Sequence, residues 1–443
     1  MKPMTRLSTC LFTFLGALSL SCGPEEASDP GPLLSFDRSS APGLSKACTD
    51  KPGRHLARRP NAPVAALCAL TLPPGSKPIQ NGTKSWVEGG RLYLTELANG
   101  SVYIWDVVSH DYVGSVGGFV GATGVAATSG PNSIALSGDG HAWVSDGISA
   151  VKVVDLGTQA IVATISTAIP ACDNGTVHNC QRTNEITYDP EHRIIFVQNP
   201  SPLDTSKHGG ATFPAIDTYG TFVSAIPPYT VLGTLSFTDR RGQEAPLWDS
   251  GQHRILTAVS GRLSGTTVFQ QYVAVVDPTV TPFAIEKQYD IDCQALGLTA
   301  TAGGLFGIND PSLGPGGRMV IPGCGRALLM DTWTGDITAI LPVGGGNETW
   351  YNSGDGNFYV TGANFSTTPP GPNSLGVIDA RGSKVLQYVP AVGATNPAAA
   401  AENNLIFAVV AANANPTACT PFGFQATGCI VVFAHVPGAG NGR

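Results

Sequence analysis

Three observations predict an all-β fold of radially stacked sheets. The stretch Pro131 to Ile165, PNSIALSGDGHAWVSDGISAVKVVDLGTQAIVATI, holds four short β-type runs: Ser133 to Leu136, Ala142 to Asp146, Ala150 to Asp155 and Ile161 to Ile165. Turns such as Gly138-Asp139-Gly140 and Gly157-Thr158 separate them, so the unit reads as a four-stranded antiparallel meander. The chain restates this unit along its length. Composition agrees: 54 Gly, 34 Pro and only 13% charged residues make a turn-rich profile, and no long stretch places apolar residues at i, i+3, i+4 and i+7. One meander cannot bury both of its faces, whereas copies set around a common axis bury one another's. The predicted architecture is a seven-bladed β-propeller.

Taken in order, residues 1–22 form an export signal. Lys2 and Arg6 give a short positive region, Leu11 to Leu20 an apolar core, and Ser21-Cys22-Gly23 a small-residue cleavage region. The run Leu18-Ser19-Leu20-Ser21-Cys22 resembles a bacterial lipoprotein signal, which implies lipidation of Cys22; Ser19 stands where a larger aliphatic residue is typical. Ordinary signal-peptidase cleavage is the alternative, and both readings export the protein. Beyond this segment no apolar run approaches the ~20 residues a membrane span needs, so the expected membrane contact is through the lipid alone. Residues 23–61, rich in Pro, Ser, Glu and Asp, read as a flexible tether.

The repeats fill residues 62–437, one predicted domain. They begin near Trp86, Asn132, Asn184, Gln243, Leu298, Asn347 and Asn396. The last lacks a fourth strand, and Ala65 to Leu72, AALCALTL, supplies a candidate that would close the ring and remove two sheet edges. The fifth repeat has a weak first strand, Leu298 to Ala302, so a six-bladed ring is the alternative count.

Cysteine usage agrees with export. Apart from Cys10 and Cys22 there are Cys48, Cys68, Cys172, Cys180, Cys293, Cys324, Cys419 and Cys429, with no CxxC and no zinc-like Cys/His spacing, which favours disulfides. Nearest-neighbour pairing is one of roughly a hundred connectivities open to eight cysteines. It would place three bridges at the rim of one face and use the fourth to tie the tether to the closing strand.

Propeller geometry brings the starts of the innermost strands to one mouth. Those starts are Asn132, Glu185, Glu244, Glu348 and Asn396, and second-strand ends add Asp146, Asn199 and Asn364. Converging carboxylates repel unless a cation or proton is shared, and an oxygen-rich cluster suits Ca²⁺ or Mg²⁺. The expected metal ligands are therefore Glu185, Glu244, Glu348, Asn132 and Asn396, with Asp146, Asn199, Asn364 and the loop residue His208 expected to face a ligand. The longest loops, Pro200 to Pro214, Ser260 to Gln271, Thr367 to Ser374 and Ala412 to Gly428, fall at the same mouth, which makes it the candidate site.

Structural readings stand beside these. Trp86, Trp143, Trp248 and Trp350 read as blade-packing residues, and Asp106, Asp155, Asp277, Asp331 and Asp379, at the ends of third strands, read as turn caps.

The segments GGRLYLTELANGSVYIWDVVSHDYVGSVGGFVG, SGPNSIALSGDGHAWVSDGISAVKVVDL, RTNEITYDP, EAPLWD, GGGNETWYNSGDGNFYV and LGVIDA together resemble a bacterial group of exported β-propellers related to the YVTN-repeat proteins. The resemblance spans nearly all of residues 84–436 and implies acidic strand starts at Glu185, Glu244 and Glu348. Where that group commonly carries a His-Ser pair, this chain has Thr395-Asn396. A weaker similarity, at Pro131-Asn132 and Glu244-Ala-Pro-Leu-Trp-Asp, is to the gluconolactonase and senescence-marker-protein propellers, which implies an axial divalent cation and lactone opening.

The formal charge of −7 offers no basic stripe, which argues against nucleic acid. No G-x-S-x-G, H-E-x-x-H or G-x-x-x-x-G-K-[ST] occurs, so serine-hydrolase, zincin and P-loop chemistry lack support. Two expectations remain: a module that binds a small molecule or a protein through its loop-rich face, and, as the alternative, a metal-dependent lactonase-like hydrolase or lyase.

Overall fold

The computed structural model describes Cys48 and residues 63–436, less 125–127, 171–180, 200–217, 238–241, 265–266, 299–306, 345, 347, 368–369, 392, 413–416, 418 and 425–426. Seven antiparallel sheets of the predicted meander type ring one axis. Their innermost strands are Gly82–Glu88, Ile134–Leu136, Ile186–Asp189, Gly242–Asp249, Ser312–Leu313, Thr349–Asn352 and Ala394–Ala400, taken as blades one to seven. In each blade the second, third and outermost strands pair in turn outward from the innermost one. Gly138 and Gly140, at φ 74° and 91°, supply the left-handed backbone that the first turn of blade two requires.

The ring closes as the sequence predicts. Val64–Leu70 is the outermost strand of blade seven and pairs antiparallel with Cys429–His435, from Val64 opposite His435 to Leu70 opposite Ile430. The apolar core is divided in the same way: seven buried clusters lie one at each junction between neighbouring blades. Leu92, Leu94 and Trp105 meet Phe407, Val409 and Val432 where blade one closes on blade seven. The other six join successive blades. A six-bladed ring or a pair of open sandwiches could not produce seven equivalent seams.

The structural readings of the tryptophans and aspartates hold. Trp143 is 1% exposed and packs edge-on against Tyr229. Trp86 and Trp350, from blades one and six, meet edge to face with ring centroids 5.3 Å apart, over the small Ala398–Ala400 run of the intervening blade. The third-strand aspartates cap turns as expected. Asp106 accepts the N–H groups of Val108 and Ser109 at 2.9 and 2.8 Å, and Asp331 and Asp379 accept those of Trp333 and Arg381 at 2.8 and 2.9 Å.

The fifth blade departs from expectation. Its first strand is the two-residue Ser312–Leu313, so the axial end of that blade falls near Asp310; the expected strand Leu298 to Ala302 lies, beyond Leu298, outside the described residues. The loop from Ser260 to Gln271 is itself a small hairpin, Arg262–Ser264 with Thr267–Phe269.

Three disulfides follow the nearest-neighbour pattern: Cys48–Cys68, Cys293–Cys324 and Cys419–Cys429. Cys172 and Cys180 lie outside the described residues, as does Cys22. Disulfides of this number point to an oxidising, non-cytoplasmic compartment. Among the described residues no helix is long and apolar enough to cross a membrane.

Candidate functional site

Each blade brings one polar residue to the mouth where the innermost strands begin: Lys84, Asn132, Glu185, Glu244, Asp310, Glu348 and Asn396. Because alternate residues of a strand point to the same side, Lys84 lies above Trp86 and Glu348 above Trp350 along the channel.

At the centre sits the Lys84 ammonium. Its Nζ is 3.0 Å from Asp310 Oδ2, 3.2 Å from Glu185 Oε2 and 3.6 Å from Glu348 Oε2. All four side chains are at most 9% exposed. Further donors hold the acids in place. Ser133 Oγ donates to Glu185 Oε2 at 2.6 Å and Asn132 Nδ2 to Glu185 Oε1 at 3.2 Å, while the Ala245 N–H donates to Asp310 Oδ1 at 2.8 Å. Thr349 Oγ1 donates to the Asp310 carbonyl at 3.1 Å, which links blades five and six. Glu348 Oε1 is buried and has no hydrogen-bond partner among the described residues.

Three carboxylates around one ammonium leave an excess of negative charge in a buried space, and protonation states respond. Burial pushes Glu185 up to about 7, the Asp310 charge adds to this, and Lys84 opposes it. Glu348 is driven well above the usual range by burial, against Lys84 and with the charges of Asp310 and Glu185. For Lys84, burial alone would favour the neutral amine, but Asp310, Glu185 and Glu348 outweigh it and hold the group well above its ordinary value. Lys84 is thus a fixed cation and no nucleophile at neutral pH.

Above this cluster lies a cavity of about 360 Å³, lined by Asn81, Gly82, Thr83, Asn132, Arg182, Asn184, Glu185, Glu244, Asp310, Thr395 and Asn396. Among the described residues no aliphatic or aromatic side chain contributes to the lining. Its wall is cross-linked: Asn132 Nδ2 donates to Asn184 Oδ1 at 3.0 Å, Asn184 Nδ2 reaches Glu244 Oε2 at 3.5 Å, and Asn396 Nδ2 donates to the Gly82 carbonyl at 2.8 Å.

The expected metal set is thus divided. Glu185 and Glu348 converge, and the third member of their group is Asp310, not Glu244. Glu244, Asn132 and Asn396 line the cavity above. A Ca²⁺ or Mg²⁺ ion does not fit among the three converging acids. The ammonium of Lys84 already occupies the space between them at hydrogen-bonding distance, and a divalent ion would need their oxygens at about 2.0–2.6 Å with like charge beside it. The chain supplies its own axial cation.

The second-strand residues stand apart from the cavity lining, each engaged locally. The Asp146 carboxylate pairs with Lys152 Nζ at 2.8 Å and accepts the Val120 N–H at 3.1 Å. Asn199 accepts from Thr167 Oγ1 at 2.6 Å and donates to Thr221 Oγ1 at 2.9 Å. Asn364 Oδ1 accepts the N–H and hydroxyl of Ser366 at 2.9 and 2.6 Å. His208 lies outside the described residues.

Lys84, Asp310 and Arg182 are the site residues the repeat map misses. Lys84 had a legible signal: Lys-Ser-Trp in blade one has the register of Glu-Thr-Trp in blade six, which places both charges on the axis. Asp310 was hidden by the brevity of its strand. No protein-family model matches the chain, and no curated protein matches it.

Proposed function

We propose that this protein is an exported, lipid-anchored β-propeller that works as a binding module, taking a small, strongly hydrogen-bonding ligand in the axial cavity. The observation that carries this is the lining. Amides from blades two, three and seven, the hydroxyls of Thr83 and Thr395, and charges of both signs from Arg182 and Glu244 converge on one open-mouthed cavity at the small end of the usual size range for ligand sites. With no apolar wall, burial of hydrocarbon offers little driving force, so the ligand is a polyol, an amino acid or another compact polar molecule. The resemblance to exported YVTN-type propellers and the disulfides support the placement outside the cytoplasm.

Saturation-transfer NMR against a panel of polyols, amino acids and diamines tests the reading. At least one class is expected to bind, with Glu244→Gln and Arg182→Gln each weakening it by roughly tenfold or more, the cost of a lost charged hydrogen bond. Binding that ignores both substitutions would refute the assignment to this cavity. The anchor is tested separately: Cys22→Ala is expected to move the exported protein from the membrane fraction to the soluble fraction.

A second reading rests on Glu185, a cavity-lining carboxyl poised at about 7, suited to general acid-base work on a hydrolysable ester or lactone. Turnover of lactones that follows the Glu185 titration and is lost in Glu185→Gln would favour the enzyme over the binding module.

A further inference from the structure

Away from the axis, on the seam where blade seven closes on blade one, Cys48, Cys68 and His110 lie together. Cys48 and Cys68 form a disulfide that ties the segment before the propeller to its closing strand. His110 sits in the turn between the third and fourth strands of blade one, at φ 63°, with its N–H bonded to the Asp106 carbonyl at 2.9 Å. The residue is 6% exposed, and neither ring nitrogen has a hydrogen-bond partner among the described residues. One ring nitrogen and both sulfurs fall within 4.8 Å of one another. Leaving a buried imidazole without partners costs about 1–3 kcal/mol for each unmet group.

We propose that Cys48, Cys68 and His110 form a site for a thiophilic d¹⁰ metal ion, zinc or copper(I), when the disulfide between them is opened. A small dithiol reductant transfers two electrons and two protons to the bridge and leaves as its own disulfide, and the two cysteines become thiols. Binding a divalent ion releases both thiol protons, giving two metal–thiolate bonds and one bond from a neutral imidazole nitrogen. Burial lowers the His110 pKa against the charges of Asp106 and Asp111, which keeps the ring in its ligating form. The geometry requires little movement. Tetrahedral zinc with bonds of about 2.3 Å to sulfur and 2.0 Å to nitrogen sets its ligand atoms about 3.5–3.8 Å apart, and the two sulfurs and one ring nitrogen already lie within 4.8 Å of one another. Cys68 belongs to a buried apolar cluster that includes Leu72, Trp105 and Val107, and half-buried Cys48 packs against it, which leaves one side of the site open to solvent. The fourth position is left for water or an added thiol. The closing strand would then be held to its neighbouring segment by either of two links, set by the redox state.

The test uses the full chain, oxidised and after anaerobic reduction, titrated with Co²⁺ and then Zn²⁺ while the thiolate-to-cobalt charge-transfer band and metal stoichiometry are read. Reduced protein is expected to take up one tetrahedral Co²⁺, displaced by Zn²⁺, and oxidised protein none. His110→Ala, whose retained disulfide and unchanged unfolding midpoint when oxidised show that it folds, is expected to bind the metal at least about tenfold more weakly after reduction. Cys48→Ser combined with Cys68→Ser is expected to lose the band. No other cysteine pair among the described residues belongs to such a trio. A reduced wild-type protein without the band, a band indifferent to His110→Ala, or one that survives loss of both cysteines would overturn the proposal.

Discussion

Lys84→Met is expected to unfold the protein near neutral pH and to leave it folded in mild acid. The substitution keeps the side-chain volume but removes the ammonium that three buried acids share, and breaking a buried ion pair by deleting one partner costs about 3–5 kcal/mol. The sign of the pH response follows from the carboxyls. In the folded protein Glu185 titrates at about 7, above the 4.5 of an ordinary glutamate, so between those values the folded state holds a proton that the unfolded chain has released. The stability this group contributes is whole below pH 4.5 and is lost as pH rises through 7. Glu348, also raised, acts in the same direction. Lys84 is charged in both states throughout that window and adds no slope of its own. Without it, the acids must take up more protons to remain buried, so the loss of stability with rising pH should steepen. Urea midpoints followed by tryptophan fluorescence at pH 5 and pH 7 check this, with a Lys84→Met, Glu185→Gln, Glu348→Gln triple variant expected to recover much of the neutral-pH loss. An equal midpoint shift at both pH values would show that the ammonium is not the counterion of these acids.

A chain that begins at Pro73 is expected to be folded poorly or not at all, and to self-associate. It lacks the Val64–Leu70 strand and Leu72, so the buried side chains of Val64, Leu70 and Leu72 are lost, each 8% exposed or less. At about 1.5–3 kcal/mol for each large aliphatic group, the sum is comparable with the whole stability of an ordinary domain. It also bares the apolar strand Cys429–His435 along its hydrogen-bonding edge, a template for pairing with other chains. Size-exclusion chromatography with thermal unfolding reads both effects, and a peptide of residues 63–72 added in trans is expected to restore monomer. A monomeric truncated protein with an unchanged midpoint would mean that closure contributes nothing.

Much of the architecture was legible because a β-meander leaves strong local marks. Alternation and Gly-Asp-Gly turns identify blade two outright, and an incomplete last repeat calls for a strand from the other end, which Ala65 to Leu72 can supply. What sequence reading missed has a physical reason. A strand as short as Ser312–Leu313 has no alternation to detect, so Asp310 could not be set in register. Converging acids at the axis call for a shared cation or proton, and the repeat map offers no lysine as that cation. Lys84, in a strand that otherwise reads as ordinary, shows that a side chain from a neighbouring blade can serve. The second-strand residues Asp146 and Asn199 were assigned to the mouth by topology alone, yet strand ends also anchor inter-strand bonds, and theirs are committed there.

The paired rings of Trp86 and Trp350 beneath the charged cluster have a consequence for traffic. The indoles and the lysine–carboxylate cluster, stacked along the hub, stand between the cavity and the far end of the axis, so a solute entering at the mouth meets them before it could pass through. Any macromolecule that settles on the rim above would therefore imprison an occupant already inside, or bar one still in solution.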